Sequence, residues 1–199
     1  MRVITGRAKG RTLKSPSATT TRPMLDRVKE SLFAILDGYG ALRDARVLDL
    51  YAGSGALGIE ALSRGAAWAD FVEQRSAVCR IIAENLAATR LAEHARVHQM
   101  PVARFLTHAR PADSYAIIFM DPPYADPAIE QTIAAVAASP LGAAGALLVV
   151  GHSKRVELAD EYAPLQRLTL RRAGDACFSI YGWPEAEAAT TAADDTADA

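Results

Sequence analysis

Two short stretches of this chain carry residue types and spacings suited to chemistry. Residues 47–58 read Val-Leu-Asp-Leu-Tyr-Ala-Gly-Ser-Gly-Ala-Leu-Gly, an apolar run followed by a glycine-rich turn. Residues 121–124 read Asp-Pro-Pro-Tyr and follow a second apolar run at residues 117–120. The first pattern is typical of a strand, loop and helix that hold a nucleotide-like ligand, and the second places acceptor groups at the end of a strand.

Three glycines and one carboxylate decide which ligand the first stretch favours. Gly53, Gly55 and Gly58 spell the G-x-G-x-x-G pattern of dinucleotide loops, which present backbone N–H groups to a pyrophosphate. Asp49, four residues before Gly53, would repel that diphosphate and suits a ligand that carries cationic groups. S-adenosylmethionine has an ammonium and a sulfonium and no phosphate. The sequence therefore predicts S-adenosylmethionine as the cofactor, and a nicotinamide enzyme is the alternative.

A second carboxylate ends the next predicted strand. Glu73 can accept hydrogen bonds from both ribose hydroxyls, which either cofactor would offer. Glu73 therefore supports a nucleoside ligand without separating the two cofactors. Three positions adjoining the strand ends complete the predicted contacts: Tyr51, Ser54 and Gln74.

The Asp-Pro-Pro-Tyr segment predicts an acceptor site for a flat ring that carries an amino group. Pro122 and Pro123 lack N–H donors and leave carbonyls free, so Asp121 and the Pro122 carbonyl form a pair of acceptors. Tyr124 offers an aromatic face beside them. Accepting both amine hydrogens directs the nitrogen lone pair toward a methyl sulfonium, and the catalytic contribution is mainly orientation. All four residues are predicted to be catalytic. The alternative is a Pro-Pro turn with an incidental aspartate.

Alternating apolar and helical patterns predict the scaffold of both stretches. Strands are expected at residues 46–51, 68–73, 95–99, 115–120 and 146–150, with helices at 56–64, 76–90, 102–109, 127–138 and 155–161. Residues 165–172 and 176–181 are too close for a crossover and predict an antiparallel hairpin. We expect an α/β Rossmann-like fold, a mostly parallel sheet with helices on both faces and seven strands ending in that hairpin.

The ends of the chain differ in charge from its middle. Residues 1–30 hold eight lysines and arginines against Asp26 and Glu30, whereas residues 184–199 hold five acids and no cation. The basic end predicts a polyanionic partner, and a solvated charged face is the alternative. We expect three parts: a basic hairpin with a helix from about Pro23 (1–40), a catalytic domain (41–183) and an acidic disordered tail (184–199).

Several function classes are disfavoured by composition. Among 199 residues no apolar run approaches membrane-spanning length and no secretory segment begins the chain, so a cytoplasmic protein is expected. Cys79 and Cys177 stand alone, and the histidines lack the spacing of metal ligands. No metal is therefore expected, and the protein is expected to be a monomer.

The order of these motifs resembles class I amino-methyltransferases. The N-terminal stretches 6–13 (Gly-Arg-Ala-Lys-Gly-Arg-Thr-Leu) and 22–33 (Arg-Pro-Met-Leu-Asp-Arg-Val-Lys-Glu-Ser-Leu-Phe) narrow the resemblance to the RsmD family of 16S rRNA guanine-N2 methyltransferases. The resemblance implies that Asp49, Gly53 and Gly55 line the methionine part of the cofactor, and that Glu73 holds its ribose. It further implies that the guanine amine meets Asp121, Pro122 and Tyr124. The residues facing RNA phosphates would be Arg7, Lys9, Arg11, Arg22 and Arg27. The alternative for Arg27 is an ion pair with Glu30 along the helix.

Two positions depart from the family pattern. Pro101-Val102 stands where Asp-Ala or Asn-Ala usually reads the adenine, which leaves the Val102 backbone N–H as the expected contact. Gly151-His152 replaces a Glu-His-like pair after the fifth strand, and His152 receives no catalytic role.

The absence of a separate recognition domain favours a pre-shaped acceptor, 16S rRNA within an assembling small ribosomal subunit. A DNA adenine-N6 methyltransferase and a non-catalytic RNA-binding assembly factor are the alternatives.

Overall fold

The structure is a computed structural model that describes residues 1–16, 26–123 and 126–185. Five helices and eight strands are formed within these ranges. The helices are α1 (Asp26–Gly38), α2 (Ala56–Ser63), α3 (Ser76–Thr89), α4 (Val102–Thr107) and α5 (Ile129–Ala138). The strands are β1 (Arg46–Leu50), β2 (Trp68–Glu73), β3 (Ala95–Gln99), β4 (Tyr115–Met120), β5 (Gly142–Ser153), β6 (Glu161–Tyr162), β7 (Leu165–Ala173) and β8 (Ala176–Gly182).

All eight strands form one mixed sheet in the order β3-β2-β1-β4-β5-β8-β7-β6. The first five strands pair in parallel, and β8 joins β5 in antiparallel orientation. The predicted hairpin is confirmed as β7 and β8, joined at Gly174 and Asp175. The sheet has eight strands where seven were expected, because the two-residue β6 pairs with β7.

The helix predicted at residues 155–161 is wrong. No helix forms there, and β6 begins at Glu161. The reason is that partners outside the segment take its backbone groups: the Tyr181 hydroxyl donates to the Ala159 carbonyl (2.8 Å) and the Arg167 N–H to the Asp160 carbonyl (2.8 Å). The Arg167 guanidinium also donates to the Leu158 carbonyl (3.1 Å). These carbonyls are therefore satisfied by the hairpin instead of by an i−4 ladder.

Helices cover both faces of the sheet. One face packs against α1, α2 and α3 through a cluster that contains Leu32, Ile59, Phe71 and Phe119. The other face packs against α4 and α5 through a cluster that contains Val102, Ile118 and Ile133. The side chains of residues 117–120 in β4 alternate between the two clusters, as the two-residue period of a strand requires. The predicted α/β architecture is confirmed.

Residues 1–14, here called the N-terminal segment, pack against the C-terminal end of α2. The predicted hairpin is short: its two ends pair around an antiparallel bridge between Arg2 and Thr12, where the Val3 N–H donates to the Arg11 carbonyl (3.0 Å) and the Leu13 N–H to the Met1 carbonyl (2.9 Å), and turns occupy residues 7–10. Gly6, with φ of 84°, approaches α2 so closely that a Cβ there would lie 1.8 Å from the Ser63 carbonyl oxygen. The Arg7 N–H donates to that oxygen (2.8 Å). The predicted start of α1 near Pro23 lies outside the described residues.

A buried ion pair fixes this segment to the helices. Lys29 of α1 and Glu60 of α2 are 0% exposed, with Nζ and Oε2 3.2 Å apart. The Glu60 carboxylate also accepts from the backbone N–H groups of Ile4 (2.8 Å) and Thr5 (3.0 Å) and from Arg64 Nε (2.9 Å). Lys29 Nζ further donates to the Arg2 carbonyl (2.7 Å). The N-terminal segment therefore shares one polar network with both helices.

Among the described residues, no helix has the length and apolarity needed to cross a membrane. The division into parts 1–40, 41–183 and 184–199 stays a prediction, and residues 186–199 lie outside the described ranges.

Candidate active site

The two chemical motifs meet at one edge of the sheet. Strands β1 and β4 are neighbours, with Leu50 opposite Met120, and the strand order reverses between them. Ligands of open α/β sheets bind outside the carboxyl ends of the strands at such a reversal. Asp49 and the glycine loop adjoin the end of β1, and Asp121 directly follows β4.

The glycine loop is a tight, sterically constrained turn. Tyr51, Gly53 and Gly55 all have positive φ angles, of 57°, 53° and 77°. A Cβ at Gly55 would lie 3.2 Å from Ile82 Cγ2 and 3.3 Å from Phe71 Cε1. These two core side chains therefore leave little room for any residue larger than glycine. Gly55 also precedes the first residue of α2, whose N–H groups face the loop. The loop can therefore bring backbone donors close to a ligand.

Asp49 is a buried carboxylate whose charge is unfavourable in the free protein. It is 2% exposed, and its Oδ2 accepts from the Gly58 N–H at 2.9 Å. Burial raises the pKa of Asp49 to about 8, and the nearby charges of Asp121 and Glu73 add to the rise. A cationic ligand would offset these effects, because an adjacent positive charge favours the ionised form. The residues at this edge therefore fit a cationic cofactor better than a diphosphate.

Glu73 ends β2 with one carboxylate oxygen held and the other available. Oε1 accepts from the Arg75 N–H (2.8 Å) and from Arg75 Nε (3.3 Å). No donor in the described part of the chain reaches Oε2. Gln74, the next residue, is exposed. Glu73 can therefore accept a ligand hydroxyl, as the sequence predicts, whereas the role of Gln74 stays a prediction.

Asn85 is a residue of this site that sequence reasoning missed. Its side chain is 1% exposed, and its Nδ2 donates to the Ser54 carbonyl (2.9 Å) and to the Lys14 carbonyl (2.9 Å). Its Oδ1 accepts from the Lys14 N–H (2.8 Å). Asn85 thus ties the glycine loop to the N-terminal segment. The sequence feature that could have indicated this role is a polar amide on the apolar face of α3.

Asp121 presents its carboxylate directly after the end of β4. No described residue donates to it, and burial raises its pKa to about 6. Its Oδ1 lies where a side chain of Gly151 would begin, 2.2 Å from the position of a Cβ there. The glycine at the end of β5 therefore creates the space that this carboxylate occupies, a role the sequence alone does not show.

The two prolines differ in what their carbonyls do. The Pro123 carbonyl accepts from the Asp126 N–H at 2.9 Å and is occupied in a turn. No described donor reaches the Pro122 carbonyl, which leaves Asp121 and Pro122 as the pair of acceptors that the sequence predicts. Tyr124 lies outside the described residues, so its predicted role is not addressed by the structure.

Val102 begins α4, and its side chain is 7% exposed. The first N–H groups of a helix have no partner within it. The Val102 N–H can therefore serve as the predicted adenine contact.

The predicted RNA-facing residues fall in different places. Arg7, Lys9 and Arg11 are exposed on the turn at the outer end of α2, about 12 Å along that helix from the glycine loop. Arg27 is exposed in the first turn of α1, and Arg22 lies outside the described residues. Their contacts with RNA stay predictions.

His152 has hydrogen-bond partners within the structure, and the two cysteines are not in a disulfide. His152 Nε2 pairs with Ser179 Oγ (3.0 Å) and Nδ1 with the Ser153 carbonyl (3.1 Å), and burial lowers its pKa. Cys79 and Cys177 are free thiols. Within the described ranges, no group of three or more His, Cys, Asp or Glu side chains is placed to hold a metal ion.

Comparison with known sequences gives consistent matches. Residues 1–182 match a family model described as "Conserved hypothetical protein 95". The chain is 37% identical over 166 residues to "Putative rRNA methyltransferase YlbH" of Bacillus subtilis, across 83% of this chain and 89% of that protein. It is 43% identical over 133 residues to "Ribosomal RNA small subunit methyltransferase D" of Escherichia coli, across 67% of this chain and 65% of that protein.

Solved structures show the same fold. "Putative methyltransferase yhhF from Escherichia coli" superposes with a TM-score of 0.81 at 35% identity, across 94% of this chain and 99% of that one. An RNA methyltransferase from Salinibacter ruber in complex with S-adenosyl-L-homocysteine superposes with a TM-score of 0.62 at 12% identity, a likeness of fold alone.

Proposed function

The chain belongs to the RsmD family, and on this premise we propose that it transfers the methyl group of S-adenosylmethionine to the N2 amino group of a guanine in 16S rRNA. The rRNA part of the proposal is supported by the relatives, which are named as rRNA methyltransferases. The observation that carries the chemistry is a pair of acceptors to which no described residue donates, Asp121 and the Pro122 carbonyl, at the same edge of the sheet as Asp49 and the glycine loop.

Asp49, Glu73 and the glycine loop would hold the cofactor. Ionised Asp49 accepts from a cationic amine, and Glu73 Oε2 accepts from a ribose hydroxyl. Gly53 and Gly55 allow close approach of the backbone, and the neighbouring Tyr51 and Ser54 complete the loop. S-adenosylmethionine, when bound, supplies an electrophilic methyl group.

Asp121 and Pro122 would orient the acceptor amine. The exocyclic amine of a purine is conjugated with its ring and is a poor nucleophile. When the carboxylate and the carbonyl each accept one amine hydrogen, the nitrogen lone pair turns out of conjugation. The amine then becomes acidic only as its bond to the methyl group forms, so a weakly basic carboxylate suffices. Orientation of this kind lowers the activation barrier by about 7 kcal/mol or more when the reacting groups are well aligned.

The acceptor is proposed to be a single guanine of 16S rRNA in an assembling small subunit. The chain spans a catalytic sheet and a short N-terminal segment, with no separate module in the described residues that could recognise a sequence. Recognition of a loop base displaced from its stack by the folded particle would replace such a module. We further propose that the protein acts as a monomer in the cytoplasm, where ribosomal subunits assemble.

A methyl-transfer assay tests the proposal. The full chain is incubated with S-adenosylmethionine labelled in its methyl group and with small subunits or 16S rRNA from cells that lack the gene, and the nucleosides are then separated. Label in N2-methylguanosine is expected. Asp121→Ala should lower turnover at least ~100-fold while the cofactor Kd changes less than ~3-fold.

The exposed Glu93→Gln is the matched control and should leave turnover unchanged. Label in N6-methyladenosine, or label on duplex DNA alone, would contradict the proposed acceptor. Tight RNA binding with no methyl transfer would favour a non-catalytic assembly factor.

A further inference from the structure

The tip of the β7–β8 hairpin lies at the same edge of the sheet as the candidate active site. β5 runs parallel to β4, and β8 runs antiparallel to both β5 and β7. The carboxyl ends of β4, β5 and β7 therefore lie at one edge. Four exposed cations stand there, two just after β5 and two near the end of β7: Lys154, Arg155, Arg171 and Arg172.

The strand register places this group close to Asp121. Gly151, which contacts Asp121, pairs with Phe178, and Phe178 pairs with Arg171. Neighbouring strands are about 4.8 Å apart, so the Arg171 backbone lies roughly 14 Å from that of Asp121. Arg172 occupies the next position, in register with Cys177 and His152. By contrast, the turn that carries Arg7 lies at the opposite end of α2 from the glycine loop.

Most of this positive charge is not neutralised within the protein. Lys154 Nζ forms an ion pair with Asp175 at 2.7 Å. Arg155, Arg171 and Arg172 form no ion pair with any residue that the structure describes. Arg171 and Arg172 are consecutive in β7, so their side chains extend from opposite faces of the sheet and flank this edge on both sides. Like charges this close repel each other, and a polyanion that binds along the edge relieves the repulsion. The nearby exposed acid Glu157 is too small a counter-charge to balance three arginines.

We propose that Lys154, Arg155, Arg171 and Arg172, here called the edge surface, bind the phosphates of the RNA segment that presents the target base. The inference rests on the proposed function and adds a contact that the sequence patterns do not indicate. Phosphate contacts fix the position of a nucleic acid without reading its sequence. An enzyme that takes a base out of its stack must hold the backbone beside that base. The edge surface lies where that backbone would leave the acceptor site.

Removal of three charges measures the contribution of the edge surface. The variant Arg155→Ala/Arg171→Ala/Arg172→Ala should bind 16S rRNA about 10-fold to 100-fold more weakly at moderate salt. The slope of log Kd against log salt should fall by about 2, because each lost phosphate contact removes about 0.7–0.9. In methyl transfer the KM for rRNA should rise, while kcat at saturating rRNA and the cofactor Kd stay unchanged.

Two matched variants make the result specific. Arg96→Ala/Arg104→Ala/Arg110→Ala removes the same charge from exposed positions near β3, the opposite edge strand of the sheet, and should leave the salt slope unchanged. Replacement of Arg155, Arg171 and Arg172 by lysine keeps the charge and should retain most of the slope.

Equal losses in the edge-surface and control triple variants would overturn the proposal, as would an unchanged salt slope in the edge-surface variant. Failure of the wild-type protein to methylate rRNA would instead overturn the proposed function. RNA binding is measured without cofactor, so the two failures are distinguishable.

Discussion

The Asp121 carboxylate can accept an amine hydrogen only when it is ionised. Burial raises the pKa of Asp121 to about 6, so its acceptor form is lost as the pH falls through that value. Methyl transfer, measured as kcat/KM for rRNA at saturating cofactor, should fall tenfold for each unit of pH below about 6. A rate that stays flat from pH 7 to pH 5 would contradict the acceptor role of Asp121.

The buried carboxylate of Asp49 lowers the stability of the free protein when it is ionised. Its pKa is raised from 3.8 to about 8, so the folded protein holds a proton in this window that the unfolded chain has released. Stability should therefore fall as the pH rises from about 4 to 8. Asp49→Asn keeps an oxygen for the Gly58 N–H and removes the penalty, which should raise the free energy of unfolding at pH 8 by about 1–3 kcal/mol.

The gain from Asp49→Asn should disappear below about pH 3, where the carboxyl is protonated in both the folded and the unfolded state. The same variant should bind S-adenosylmethionine at least ~10-fold more weakly, because a charge-assisted hydrogen bond is lost. Thermal unfolding across pH and calorimetric titration measure the two effects. Destabilisation at pH 8 combined with unchanged cofactor affinity would refute this account of Asp49.

Gly151 should control the position of Asp121. An alanine Cβ at this position would lie 2.2 Å from Asp121 Oδ1, so the carboxylate must move by about 1 Å to relieve the contact. Displacement of that size can lower turnover about 100-fold. Gly151→Ala should therefore reduce kcat without changing the cofactor Kd. Gly38→Ala, where nothing lies within 4 Å of the new methyl group, is the control.

A double-variant cycle isolates this effect. In the Asp121→Ala background, Gly151→Ala should cause no further loss, because the carboxylate that it displaces is absent. An equal loss in both backgrounds would show general damage to β5 instead.

At the residue scale, the sequence indicates candidate chemical groups better than it indicates packing contacts. Asp49, Glu73 and Asp121 could be proposed as site residues because carboxylates at strand ends stand out beside apolar runs, and the structure places all three at one edge of the sheet. Gly151 and Asn85 could not, because their roles depend on contacts with Asp121 and Lys14 that are distant in sequence. The space left by a missing side chain has no signature in the sequence.

At the scale of elements, the buried carboxylate of Glu60 fixes the N-terminal segment to α1 and α2. Glu60→Gln would leave the fully buried Lys29 ammonium without its counter-charge. The loss should lower the free energy of unfolding by about 3 kcal/mol in urea denaturation. Glu84, which pairs with Lys14 at an exposed site, provides the comparison, and Glu84→Gln should cost less than about 0.5 kcal/mol. Similar values for the two variants would contradict the structural role of Glu60.

The sequence predicted the elements whose own pattern determines them. Strand β4 is a continuous apolar run, and β1 and β2 are mostly buried, whereas the edge strand β3 is polar and partly exposed. All four begin and end within one residue of the prediction. The helix predicted at residues 155–161 does not form, because Tyr181 and Arg167 of the later hairpin donate hydrogen bonds to carbonyls of this segment. β5 begins four residues earlier than predicted because its start pairs with Tyr115 across an irregular register.

For the whole molecule, the distribution of charge matters more than the net charge of −1. The sequence located basic residues at the N-terminus, and the fold adds a second basic region near Asp121 by bringing the ends of β5 and β7 together. Only the three-dimensional topology could reveal that second region. Substrate RNA would meet the carboxyl edge of the sheet, where the acceptor groups lie.

Comparison of 16S rRNA from cells with and without the gene tests the central claim most directly. Mass spectrometric mapping of nuclease fragments should show one N2-methylguanosine that is present in wild-type rRNA, absent after deletion and restored by the wild-type gene but not by Asp121→Ala. Identical methylation of 16S rRNA in both strains would contradict the account.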